Sequence, residues 1–202
     1  MDRIIQPSNL IQEIRDNREL EYALKHHRDG VRFTGSVRCD QFRNKQLISG
    51  GYFEPPNIFT TEGMARLLNI IFHDIAKAAS LIWYVGIFKN NVTPALGDTA
   101  AAKLGAAGDY GECQDADYDD PATDKPSYET VDTATAVITN AASKAHFVIA
   151  ASITVYGAFL STEKAKTATT GYLMCAKKFS ASRAVIDDDE LDVTYQITAS
   201  SS

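Results

Sequence analysis

No apolar run in this 202-residue chain approaches the ~20 residues a helix needs to cross a bilayer. The opening MDRIIQPSNL also lacks the basic-then-apolar order of a secretory signal, which sets the expectation of a soluble protein made in a cytoplasm. Cysteine is scarce: Cys39, Cys113 and Cys175 are odd in number and widely spaced, which argues against a disulfide framework or a zinc knuckle and for three reduced thiols. His26, His27, His73 and His146 show no HExxH or other ligand spacing. The chain contains no G-x-S-x-G, P-loop or G-x-G-x-x-G, and Gly105-Ala106-Ala107-Gly108 is too rich in small residues to signal phosphate binding. The expectation is therefore a protein without catalytic residues, metal or cofactor.

With 45% hydrophobic and 23% charged residues, the chain can bury a core and fits one globular domain with an appendage. Charge is uneven. Residues 1–50 hold nine Lys/Arg against seven Asp/Glu, leaving eleven against nineteen for residues 51–202 and a total of −6. So acidic a body is repelled by phosphate backbones, which disfavours nucleic acid as a partner. The slightly basic front suits an acidic protein surface.

Ser8 or Asn9 can cap a helix over about 9–27, with Leu10, Ile14, Leu20 and Leu24 on its apolar stripe. From Asp29 to Pro56 the period dissolves among Gly30, Gly35, Gly50, Gly51, Pro55 and Pro56, leaving isolated Val31, Phe33, Val37, Phe42 and Ile48. Such spacing suits an extended arm or, equally, a long loop packed on its own domain. Thr60 or Thr61 then starts the clearest helix, with Met64, Leu67, Leu68, Ile71, Ile75 and Ala78 on one face and Glu62 in its first turn. Residues 81–88, LIWYVGIF, are apolar on both faces and predict a central strand covered by the helix on one side and an opposing sheet on the other, with Gly86 leaving room for a neighbouring backbone.

Residues 95–126 are small and acidic and predict a long exposed excursion. Within it, Asp115, Asp117 and Asp119 alternate as a calcium loop begins, but Asp120 and Pro126 stand where that loop needs Gly and Glu, so solvated acids are the better reading. Tyr110, Tyr118 and Tyr128 are candidate stacking residues for a glycan. Strands are expected at about 127–139, 145–160, 172–179 and 191–198, the last strictly alternating Leu191, Val193, Tyr195 and Ile197 with polar residues. Asp187, Asp188, Asp189 and Glu190 read as a solvated turn before it. The fold class is mainly β: an antiparallel sandwich or jelly-roll-like domain over 57–202, preceded by a short helix and an N-terminal helical and extended arm over 1–56.

The segments TTEGMARLLNIIF and WYVGIFKNNVTPALGDT, followed by ASITVYGAFLST and YLMCAKKFSASRAVIDDDELDVTYQITA, resemble in order a family of small virion structural proteins of tailed bacteriophages. The likeness covers roughly residues 58–200. The usual glycine of the last turn is replaced here by Asp188 or Asp189. The resemblance implies a β-sandwich shell component of the virion, assembled in the host cytoplasm. A capsid decoration or cement protein bound to the major capsid protein is the leading expectation, and a tail, collar or fibre-base protein that binds host glycans the alternative. No membrane partner is expected, and a homo-oligomer, guessed as a trimer, is. Ile4, Ile5, Leu10, Ile14, Phe33 and Phe42 have no periodic core to join and are the candidate partner contacts; packing on their own domain is the competing reading.

Overall fold

Period-two burial builds this protein. In the computed structural model, which describes residues 31–54, 56–73 and 83–201, Leu191, Val193 and Tyr195 on one face of β10 (Glu190–Ser201) are fully buried, while on the other face Asp192 and Gln196 are half-buried and Thr194 is buried. The same alternation in β7 (Ala145–Ile149) buries Ala145, Phe147 and Ile149. These strands lie in a larger sheet ordered β2 (Gln46–Ser49), β1 (Val31–Arg43), β10, β7, β5 (Tyr118–Asp120), with β6 (Val137–Thr139) also paired to β10. A smaller sheet is ordered β3 (Ile58–Phe59), β9 (Leu173–Val185), β8 (Ile153–Ser161), β4 (Tyr84–Phe88). The chain is thus mainly β with two antiparallel sheets, as the sequence predicts. Val37, Cys39, Phe147, Leu191, Val193 and Tyr195 meet Val85, Ile87, Val155, Leu160, Cys175 and Phe179 in one dry core between the sheets.

The smaller sheet is dry on its other face too. Phe88, Phe159, Leu173 and Ala176 lie under Ala100, Leu104 and Tyr110, which belong to the segment containing α2 (Ala100–Lys103). This corrects the reading of 95–126 as an exposed excursion and explains why β4 is apolar on both faces. The outer cover is that segment. The helix expected to provide it, α1 (Thr61–Phe72), sends Met64 and Leu67 to the main core. It begins where predicted: Thr60 caps it by accepting from Gly63 N at 3.0 Å. Glu62 ties helix to cover, accepting from Ala100 N at 2.8 Å and Leu173 N at 2.6 Å.

Gly86 makes room for a ring, not for a backbone. It pairs with Phe159 on β8, while Phe88 pairs with Gly157. A Cβ on Gly86 would lie 2.1 Å from the Phe159 ring, and one on Gly157 would lie 2.2 Å from the Phe88 ring. Each phenyl lies across the glycine opposite, a reciprocal cross-strand arrangement that buries both completely.

The segment read as an arm or loop over 29–56 is largely strand. β1 and β2 form a hairpin at the rim of the larger sheet, turning at Asn44 and Lys45 with φ of 51° and 63°. Residues 51–54 and 56–57 then run back along β1, with Phe53 N on Val37 O and Asn57 N on Gly35 O, each at 2.9 Å. A domain boundary at 56 is therefore displaced: Phe33–Thr198 form one compact unit. The strand expected over 145–160 divides into β7 and β8, which join different sheets, and the strand expected over 127–139 is broken: 137–139 forms β6, while Ser127 and Tyr128 at its start bridge to Tyr84 and Trp83. The helix expected over 9–27 lies outside the described residues.

Candidate interaction surface

Buried charge in this fold is spent on holding loops. Lys125 and Glu112, both fully buried, pair at 3.0 Å; the ammonium also donates to Ala165 O at 2.6 Å, and the carboxylate accepts from Gly105 N at 2.9 Å. The Tyr110 hydroxyl donates to Asp98 at 2.8 Å. Asp189, read as part of a solvated turn, is fully buried: it accepts from Arg43 at 2.7 Å through both oxygens, from Gln41 at 3.1 Å and from Ile186 N at 3.1 Å. The Arg43 hydrogen bonds hold its carboxyl below the usual aspartate value. Its neighbour Asp188 takes the left-handed turn position, with φ of 63°.

The alternating aspartates diverge. Asp117 binds Lys89 at 2.7 Å, whereas Asp115 binds Lys166 at 2.9 Å. That lysine also donates to the carbonyls of Tyr118 and Ala122 and stands 3.9 Å from the Tyr118 ring centre. Lysine ammoniums occupy the places among these oxygens that a hard cation would seek. Among the described residues no three His, Cys, Asp or Glu side chains converge as metal ligands. Burial pushes the Cys39 and Cys175 thiols up to about 12 and raises Cys113 as well, so all three stay protonated and unreactive.

Tyr110, Tyr118 and Tyr128, the candidate glycan platform, are buried, with burial raising each phenol. They are core, not a stacking surface. Of the candidate partner contacts, Ile4, Ile5, Leu10 and Ile14 lie outside the described residues. Phe33 turns inward, half-buried against the main core with its ring 6.4 Å from Phe59. Phe42 is half-buried at the β1–β2 hairpin, opposite Leu47.

The exposed apolar side chains gather elsewhere. Leu47 is 56% exposed, Ile48 50% and Tyr52 51%, all on the rim that β2 and the segment after it form, with the Arg38 guanidinium 5.8 Å from the Tyr52 ring centre. A second group, Leu68, Ile71 and Phe72, stands on the last turns of α1. The broad outer face of the larger sheet is different: Arg38, Asp40, Lys144 and Asp192 form a ladder of alternating charge across β1, β10 and the residue before β7, with contacts of 2.9–3.5 Å, and the His146 ring nitrogen stands 2.8 Å from Asp192. Such a face stays wet, so the rim and the helix end are the surfaces fitted to a partner. Sequence reasoning missed Leu47 and Tyr52; the signal was two adjacent apolar residues following an Asn-Lys turn. No protein-family model, curated protein or solved structure matches this chain.

Proposed function

We propose that this chain is a virion structural protein of a tailed bacteriophage, a decoration or cement subunit that binds the assembled capsid and associates with copies of itself. The observation that carries the reading is the division of labour just described. Buried polar groups such as Lys125, Glu112, Asp98, Asp117 and Asp189 are engaged in pinning loops, while apolar area is left on the rim at Leu47, Ile48 and Tyr52 and on the end of α1. The motif resemblance over residues 58–200 supplies the setting. The mechanism is mass action: a subunit that binds the assembled lattice and not its free parts stabilises the lattice, and many linked contacts raise the effective concentration. Quantitative mass spectrometry of intact particles tests it. Copy numbers comparable with the major capsid protein, and cross-links to that protein, are expected. Absence from particles would overturn the virion assignment, and a few copies per particle would replace the shell position with a collar or tail position.

A further inference from the structure

An ammonium carries three N–H donors, so a lysine withdrawn from water needs three acceptors in one place. Lys166 has them. Its side chain is 4% exposed, and its Nζ lies 2.9 Å from an Asp115 oxygen, 3.1 Å from Tyr118 O and 3.2 Å from Ala122 O. The Tyr118 ring closes a further side, its centre 3.9 Å away. All four groups come from residues 115–122, so a short stretch is wrapped around one cation that another loop brings. That loop is longer than its connection requires. β8 and β9 are antiparallel neighbours that about two to five residues could join, yet residues 162–172 lie between them. The surplus reaches the outer layer: Lys164 pairs with Asp124 at 3.0 Å, Lys125 N donates to Lys164 O at 2.7 Å, and Ala165 bridges Asp124. Conversely, the hydrogen bonds that leave residues 121–124 for other segments end, among the described residues, on this loop. Each loop therefore holds the other.

We propose that residues 115–122 form an ammonium-binding cage that the chain fills with its own Lys166, and that residues 162–172 are thereby a strap. When Lys166 withdraws, the strap and the 121–124 tip open together while both sheets stay closed. The sheets can stay closed because residues 110–113 and 126–128, on either side of the opening stretch, keep their own bonds to β4 and its neighbours at 2.8–3.0 Å. Tyr118 also remains seated, paired with Ile149 in the larger sheet. The cage is matched to a primary ammonium. A quaternary ammonium has no N–H for the three oxygens, and a divalent cation would meet the Tyr118 ring where its remaining ligands belong. The outside occupant that fits is a lysine of a basic partner, drawn by the exposed carboxylates of Asp115, Asp119 and Asp120. The inference stands apart from the virion reading: it concerns the free protein and would survive a failure of the copy-number test.

Hydrogen exchange of the full chain tests the strap without any variant. The amide of Lys125, bonded to Lys164 O, and that of Ala168, bonded to Ala165 O, should share one opening equilibrium, more populated than the one that exposes Val85 in β4. Lys166→Ala should speed exchange at both amides by roughly tenfold or more, since hydrogen bonds to a charged group are each worth about that, and leave Val85 protected. The cage is tested by returning the deleted atoms as a salt. Propylammonium chloride at about 20 mM should restore protection to both amides of the Lys166→Ala protein, and tetramethylammonium chloride at the same concentration should not. Asp115→Asn in that background should weaken the rescue. Lys125 and Ala168 amides that open independently in the wild type, Lys166→Ala loops as protected as the wild type's, or protection that propylammonium fails to return or that both salts return equally would each overturn the proposal.

Discussion

Replacing Lys125 by Met is the sharpest test of the idea that buried charge holds the outer cover in place. In the wild type the ammonium has no exposed surface and is satisfied by Glu112 at 3.0 Å and by Ala165 O at 2.6 Å. Met fills nearly the same volume and removes the charge, which leaves the Glu112 carboxylate buried with Gly105 N–H as its remaining donor, and Ala165 O without its lysine. Breaking such a pair from one side costs about 3–5 kcal/mol, a large part of the roughly 5–15 kcal/mol that holds a domain together. At about 2–4 °C per kcal/mol for a chain of this size, the melting temperature should fall by roughly 6–20 °C. Adding Glu112→Gln removes the stranded charge and keeps an acceptor for Gly105 N–H, so the double variant should recover about 2 kcal/mol of the loss. Chemical denaturation of the four proteins closes the cycle. A Lys125→Met cost below about 1 kcal/mol, or strictly additive single and double variants, would refute the claim that this pair anchors the segment.

Gly86→Ala should destabilise by about 1–3 kcal/mol in urea titrations, because its methyl enters the Phe159 ring, and Gly86→Ala with Phe159→Leu should cost less than the sum of the separate changes. Asp189→Asn should weaken the fold at neutral pH and matter less in acid. The carboxyl is held low chiefly by Arg43, so its contribution is full above the unfolded aspartate value near 4 and is lost as pH falls through the lower folded value. Acid titration followed by circular dichroism should therefore show the variant and wild-type stabilities converging below about pH 4. Lys166→Met should leave the sandwich folded but speed proteolytic cleavage within 115–124, since that ammonium joins Asp115 to two carbonyls of the loop; unchanged cleavage would count against it.

The parts of the fold legible in the sequence are those where one physical rule acts alone. β10 alternates in sequence because Leu191, Val193 and Tyr195 meet the core while Asp192 and Gln196 on the other face stay partly exposed, and α1 begins after a threonine that caps it. β1 hides its period because Asp40 and Gln41 are buried alongside Val37 and Cys39, at a register shift between Gln41 and Phe42. Its turn carries no glycine, so Asn44-Lys45 gives no strong hairpin signal. The cover over β4 looked solvated since Lys125, Glu112, Asp98 and Asp117 read as surface charges until their partners, distant in sequence, are in place. The rim was missed for the converse reason. An exposed Leu or Ile in a four-residue strand looks like core in a sequence, and Phe33, taken for a contact, spends its ring inward.

β4 lies between two dry layers and is hydrogen-bonded along both sides, to β8 on one and to residues 110–113 and 126–128 on the other. Small fluctuations that open a rim or fray a loop cannot admit water to it, so its amide protons should exchange with deuterium only when the whole molecule comes apart. A clock for global opening is thereby built into Val85, Ile87 and Phe88, and the outer layer must lift before that clock can advance.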